Sequence, residues 1–560
     1  MKNSIAQVIV GLPLEGHFDY FVGEDMRSTI RVGHRVQILF NRRKRLGFVC
    51  GLVDHSAFKR LNPILAILDS DPVVDAKVIK LTQEFSAYYG CSRGEAIEAY
   101  LPTALRQMKY HAIPASPPIS EPAFDSVGLI HDAGQQKRWP VLIDKINATL
   151  AQKKGVIFLV PEVADMEIVH ERLKSVAPAI VELDKQLTPA KELARWTNIH
   201  RGEAQIVIGT RSAVFAPLPN LGLIIIYEEE HSAYKQEQTP HYHVHQVAEM
   251  RRRIEGCAVC LVSTTPSAEI WYKAKKEKWP VTVLEDDRVG RMKIIDMGNY
   301  NPQRSSIISF PLQAVIQKII DGGGKVVIFV NRSGFEQTMQ ETMLTMKNKL
   351  ERLFPGARVG YYFKESTAFP DGANIIVATQ AIFRMKQHLS VDVIAMIRFD
   401  TEISRLDFRS AEHMFALLIH LRQLAKDQLI VQTRMMDNYC LKAAVRMDFK
   451  GFYRNELKFR QQLGFPPFRH LVMVGIRGQN ADSIKEYAQN LYSQLTDAKI
   501  KSIEIDEPHI SEFKKGRNPH KATIILKGKT VKPILKLVKK SLAQTRRKGQ
   551  LITTINVDPY

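Results

Sequence analysis

Seven short, almost uninterrupted runs of Val, Ile and Leu, separated by segments with helical spacing, constrain this chain more than any other feature. VIFLVP (156–161), AQIVIGT (204–210), LIIIYE (223–228) and AVCLVST (258–264) form one set, and KVVIFVN (325–331), NIIVATQ (374–380) and VDVIAMIRF (391–399) form another. A strand that is apolar on both faces must be covered on both faces, and strands alternating with helices pair in parallel, so each set predicts a buried parallel sheet between helical layers. Two sets predict two α/β lobes with a cleft between them. Asp321-Gly322-Gly323-Gly324 reads as a turn, because a phosphate loop follows a strand whereas this stretch precedes one.

The flanks follow other patterns. RVGHRVQILF (31–40) and LGFVCGLV (46–53) are β-like and are joined by Asn41-Arg42-Arg43-Lys44-Arg45, which predicts a hairpin whose basic loop clamps phosphate. VIKLTQEFSAYYG (78–90) has helical spacing, with Tyr88 and Tyr89 placed either in the core or as platforms for bases. Residues 105–124 carry Pro114, Pro117, Pro118 and Pro122, a density that fits neither a helix nor a central strand and marks a linker. After about 436 come the helix 452–465, strand 471–477, helix 483–495, strand 522–528, helix 531–544 and strand 552–558, a small α+β domain. The expected units are a mostly-β domain (1–104), the linker (105–124), the two lobes (125–290 and 291–435) and the terminal domain (436–560).

Charge points to a polyanionic partner. The 560 residues carry a net charge of +21, and from Phe513 to Gln550 there are thirteen Lys or Arg residues and no Asp or Glu. Such a surface gains affinity by releasing counterions from phosphates; an RNA-binding or anionic-membrane surface shares the signal. Lys514, Lys515, Arg517 and Lys521 precede a strand, while Lys539, Lys540, Arg546 and Arg547 end a helix, where the dipole also favours cations. Five cysteines make no disulfide framework in a chain of this length, and Cys257 and Cys260 read as buried strand residues lacking a second pair for zinc. No stretch approaches the roughly 18 apolar residues of a membrane span, and the start of the chain lacks a secretory pattern, so a cytoplasmic protein is expected.

Several strings, in one order over nearly the whole chain, resemble the primosomal replication-restart helicase family (PriA, primosomal protein N′). They are GHFDYFV (16–22) with VGHRVQILF, then VPEVA (160–164), GTRSAVFAPLPNLGLIII (209–226) and TTPSAE (264–269), then FVNRSGF (329–335), ATQAIF and LDFRSAEH (406–413), and finally FYRNELKFRQQLGFPPF and INVDPY. The resemblance implies a 3′-DNA-binding domain at the start, two RecA-like lobes of the P-loop NTPase type, and a basic carboxyl-terminal domain. It makes forks, 3′ ends and single strands of DNA the expected partners, with primosome and single-strand-binding proteins beside them. Phe18, Asp19 and Tyr20 match the 3′-end pocket, although Phe18 and Tyr20 also read as core aromatics of a strand. With them, Arg42, Arg43, Lys44, Arg45 and the carboxyl-terminal cations are the expected DNA contacts.

The residues that power the family's motor are largely replaced. A P-loop needs glycines around the phosphates, a Lys for their charge and a Ser or Thr for magnesium. The pattern GxxGxGKT falls on His131-Asp132-Ala133-Gly134-Gln135-Gln136-Lys137-Arg138, retaining Gly134 and Lys137 only. Asp-Glu-Glu-His falls on Tyr227-Glu228-Glu229-Glu230, and a slip of one residue gives Glu228-Glu229-Glu230-His231 instead. QVAGRAGR falls on residues 420–427, where Leu424 and Asp427 replace both arginines and Arg422 is the nearest substitute. The family's eight zinc-binding cysteines after the NRxGF motif are missing, and Arg106 to Phe124 leaves no room for its winged helix. The expectation is a DNA-binding restart protein that has lost ATPase activity, with no confident cofactor and no zinc. Two alternatives stand beside it: an active ATP- and magnesium-dependent 3′–5′ helicase using Lys137, Glu228 and Glu229, and a general nucleic-acid-binding scaffold.

Overall fold

The computed structural model describes residues 4–109, 126–135, 137–184, 186–284, 290–298, 300, 307–330, 339–385, 389–404, 407–511, 520–546 and 550–559. Much of the proline-rich linker therefore lies outside the described residues, as do Lys514, Lys515, Arg517 and Arg547. The first sheet is antiparallel, in the order Phe18–Phe21, Ile5–Val10, Arg43–Val53, Arg35–Phe40, Ile64–Ile67. Its hairpin is tighter than the sequence pattern predicts. Only Asn41 and Arg42 form the turn, with φ of 48° and 61°, while Arg43, Lys44 and Arg45 pair as strand residues with Phe40, Leu39 and Ile38. Two consecutive left-handed residues give a type I′ turn, whose twist matches that of the flanking strands.

The helix Ala76–Tyr89 follows the sheet. Asp75 caps its start by accepting from the Val78 amide, and Gly90, at φ 71°, ends it in the left-handed region. At the domain's exit the buried Arg35 guanidinium pairs with Asp69 and donates to the carbonyls of Leu105, Gln107 and Lys109, which fixes where the chain leaves.

The lobes are two parallel sheets, as the apolar runs require. The first is ordered Val281–Leu284, Val127–Asp132, Ala258–Ser263, Leu221–Tyr227, Gly155–Leu159, Ile206–Gly209, Ile180–Leu183. The second is ordered Arg291–Asp296, Ala425–Thr433, Val391–Met396, Val326–Phe329, Ile375–Ala378, Val359–Tyr362. Strands the pattern did not single out include the half-buried Ile180–Leu183, the exposed edge Val281–Leu284 and Arg291–Asp296 with its alternating exposure, all short of an uninterrupted apolar run. Cys257 and Cys260 are both buried, and they pack into different cores. Among the described residues no helix is long and apolar enough to cross a membrane.

The terminal domain is an antiparallel sheet in the order Ile503–Ile505, His520–Gly528, His470–Gly478, Ile552–Val557, with His509–Ser511 paired to the second of these. The helices Ala481–Asp497 and Val531–Gln544 bury their apolar faces on it. One hydrophobic core runs from Phe85 and Tyr89 of the first domain through Leu129 and Ile224 of the first lobe to Leu535 and Val538 of the last domain. Both ends of the chain are thus built against the first lobe.

Candidate nucleotide cleft and nucleic-acid interface

The strand Val127–Asp132 and the helix Arg138–Ala151 bracket the turn where a P-loop would lie. In this turn Asp132 takes the amide hydrogens for itself. Its Oδ1 accepts from the Gln135 amide at 3.0 Å and its Oδ2 from the Arg138 amide at 2.9 Å. The left-handed residue is Gln135, at φ 64°. Arg138, 0% exposed, turns inward and binds Asp132 Oδ2 at 3.2 Å, the Asp132 carbonyl at 2.8 Å and Thr264 Oγ1 at 2.9 Å. Its guanidinium also lies 5.2 Å from the Tyr227 ring centroid, a cation–π contact at the end of the Leu221–Tyr227 strand. Burial opposes the charge on Arg138, and Tyr227, Glu228, Asp132 and Glu230 outweigh it, so the group stays protonated. Burial pushes the Tyr227 phenol up to about 12. His131, where the pattern has its first glycine, is buried against Phe449 at 4.5 Å, and that burial lowers its imidazole to about 4.

The remaining candidates are dispersed. Gly134 is half-buried in the turn, and Lys137 is exposed at the start of the helix. Glu228 is half-buried with φ 52°. Glu229 is buried and accepts from the amide and hydroxyl of Ser267 at 2.7 and 3.0 Å, with His245 Nε2 at 3.2 Å. Burial, and then Glu230, raise its carboxyl well above the usual range. Glu230 accepts from Ser263 Oγ and from the amides of Thr264 and Thr265, and it faces His420 at 3.7 Å. Burial would raise Glu230, and His420 reverses the direction, holding it low.

Across the cleft the second lobe answers with amides rather than arginines. Gln423 accepts from Gln135 Nε2 at 2.5 Å and donates from its own Nε2 to the Ala133 carbonyl, so the turn is clasped to the helix Ser410–Leu424. Arg422 does not face the cleft. It donates to the carbonyls of Gly290 at 2.8 Å and Ala444 at 2.6 Å, which tie the helix to the start of the second lobe and to the helix Tyr439–Arg446. Leu424 is buried and Asp427 is exposed.

In the first domain, Tyr20 is 4% exposed and donates to the Leu39 carbonyl at 3.1 Å, which makes it a core residue. Phe18 is half-buried, its ring edge-on to Phe40 at 4.9 Å. Asp19 Oδ2 accepts from Ser56 Oγ at 2.5 Å; its buried Oδ1 has no hydrogen-bond partner among the described residues, and His17 is 3.9 Å away. An unsatisfied buried carboxylate oxygen is costly, and a ligand donor would relieve it. Arg42, Arg43, Lys44 and Arg45 are all exposed, on the turn and the strand that leaves it. Tyr88 and Tyr89 serve as packing rather than stacking groups: Tyr88 donates to Asp558 Oδ2 at 3.3 Å, and Tyr89 accepts from the His243 amide at 3.0 Å.

In the last domain, Lys521 is half-buried opposite Arg477, a cation that sequence reasoning passed over. The helix runs to Gln544, so Lys539 and Lys540 precede its last turn and Arg546 lies beyond its cap, Thr545. That removes much of the dipole explanation for this cluster. Lys539 pairs with Glu15 at 2.5 Å, whereas Lys540 and Arg546 are exposed. Lys532 and Lys536 complete an exposed strip with Lys540, legible from their four-residue spacing.

Residues 7–102 match the 3′DNA-binding domain model of PriA, and residues 461–560 match the model of the primosomal protein N C-terminal domain. The replication restart protein PriA of Bacillus subtilis is 25% identical over 514 residues, covering 78% of this chain and 64% of that protein. PriA of Treponema pallidum is 23% identical over 655 residues, covering 99% of both chains. The chain thus spans about two thirds of one relative and nearly all of the other. Among solved structures, Dbp5 of S. cerevisiae bound to RNA and ADP BeF3 matches 70% of this chain and 98% of its own at 13% identity, with a TM-score of 0.38.

Proposed function

We propose, on the premise that the chain is a divergent member of the PriA replication-restart family, that it recognises forked or 3′-ended DNA and serves restart by binding rather than unwinding. The 3′-DNA-binding domain, the exposed hairpin cations and the orphaned Asp19 oxygen support the DNA half of this reading. Other replication proteins would then assemble on the bound fork.

The loss of the motor rests on one observation, the buried pair of Asp132 and Arg138. The carboxylate accepts amides that a P-loop offers to phosphate, and the guanidinium brings a fixed cation beside it. The residues present do not fit a magnesium nucleotide. An incoming phosphate would have to displace Asp132 from two amides, and Tyr227 offers a phenol, held protonated by burial, where a metal ligand is needed. Arg422, tied to backbone carbonyls, supplies no charge across the cleft.

The test is ATP hydrolysis with and without forked DNA, beside a Lys137→Ala variant, with fork binding recorded on the same samples. Tight fork binding without turnover is the expected result. Turnover that requires both DNA and Lys137 would overturn it and establish a working helicase. Equal affinity for forks, linear duplex and RNA would instead reduce the protein to a general nucleic-acid scaffold.

A further inference from the structure

Apart from the hairpin and the helix Val531–Gln544, two further helices carry a second set of exposed cations. The helix Ala268–Lys276 of the first lobe lies against Phe449–Leu463, which follows the second lobe. Trp271 stacks on Tyr453 with centroids 4.5 Å apart, and the Tyr453 hydroxyl donates to the Pro266 carbonyl. The contact is buried and aromatic, so the two helices form one stiff unit. On its outside, Lys275 places its ammonium 4.8 Å from the Trp271 ring and Lys276 sits 5.5 Å from Tyr272. Lys450, Arg454 and Lys458 are exposed along the neighbouring helix. Four-residue spacing sets these three on one strip about 12 Å long.

The acidic groups beside these cations are committed elsewhere: Glu277 accepts from the Trp279 indole at 2.9 Å, Asp448 caps the helix by accepting from the Gly451 amide at 2.8 Å, and Glu456 is bound to Arg460 at 2.6 Å. Five exposed cations on a rigid surface repel one another unless an anion is present. We propose that this two-helix surface is a second DNA contact, one that grips the backbone of a duplex arm. A strip about 12 Å long covers the axial distance over which one strand presents three or four phosphates, at about 3.4 Å each. A single strand is the poorer fit, because binding it without sequence preference relies on aromatic platforms beside the cations; Trp271 and Tyr453 are buried in the helix contact, and the exposed Phe459 lies about 100° around the helix from Lys458.

The inference rests on DNA being the ligand, and the experiment separates the two. The full chain and a Lys450→Gln/Arg454→Gln/Lys458→Gln variant are titrated with a fork bearing duplex arms and with a single strand of equal length, over a series of salt concentrations. The expected result is a log K against log salt slope on the fork that is shallower by about 0.9 for each phosphate the variant no longer neutralises, with the single-strand slope nearly unchanged. An unchanged fork slope would overturn the proposal while leaving DNA recognition intact. A loss confined to the single strand would reassign the surface to single-stranded DNA. No DNA binding by the parent chain would sink the functional reading itself. Lys275→Gln/Lys276→Gln, on the other helix, must flatten the same slope; if the triple variant fails to fold, this pair decides.

Discussion

At the scale of single residues, the most informative side chain is Arg138. Alignment alone presents it as a lost magnesium ligand, whereas the structure gives it a role, as the buried counter-ion of Asp132 beneath Tyr227. Removing one partner of a buried pair leaves the other uncompensated, at a cost of about 3–5 kcal/mol. Arg138→Ala is therefore expected to lower the unfolding free energy, measured by denaturant titration, by that order. Lys137→Ala, one residue away and exposed, is expected to shift stability by no more than about 0.5 kcal/mol. Equal, small effects in the two variants would show that the pair does not hold the turn. Asp19 is the complementary case, because its orphaned oxygen keeps a capacity that the fold leaves unused.

At the scale of elements, the basic hairpin shows how local geometry decides where charge points. Had residues 41–45 been a loose loop, the four cations would splay; the tight turn at Asn41 and Arg42 instead puts Arg43 and Arg45 on one face of a strand and Lys44 on the other. One DNA backbone cannot meet both faces of the strand equally. Replacing Arg43 and Arg45 by Gln is expected to flatten the salt slope of fork binding by up to about 1.8, about 0.9 for each, with Lys44→Gln leaving it nearly unchanged. Equal effects for all three positions would mean that the tip, not one face, meets the phosphates. The terminal helix Val531–Gln544 follows the same logic, its apolar face buried and its lysines outside.

At the scale of the whole molecule, the two ends of the chain meet at Asp558. It accepts from the Leu471 amide at 3.0 Å, from Tyr88 of the first domain at 3.3 Å, and pairs with His470 at 2.8 Å, while Lys235 of the first lobe donates to its carbonyl at 3.0 Å. Burial works against the charge on His470, but Asp558 outweighs it and holds the imidazole above its ordinary 6.5. A raised folded value contributes stability that is fully present below 6.5 and is lost as pH rises through the folded value. Burial lowers Lys235 to about 7, so its own contribution runs the other way, improving above that pH. The parent-minus-His470→Asn difference in melting temperature cancels Lys235 and is expected to shrink as pH rises past neutrality. A difference that stays constant with pH would remove the ion pair from the docking.

The sequence by itself determined the two parallel lobes and the short α+β tail, because burial on both faces demands continuous apolar runs. Helices such as Val531–Gln544 were legible to their ends from apolar spacing alone. Only the tertiary structure decided that Tyr20 is core, that Arg422 is tied to the carbonyls of Gly290 and Ala444, that Lys539 is paired with Glu15, and that the distant helices carrying Trp271 and Tyr453 pack together. Each of these depends on which groups lie across a gap of a few ångströms, and such neighbours are set by how the domains pack, over separations in sequence that periodicity and composition do not sense.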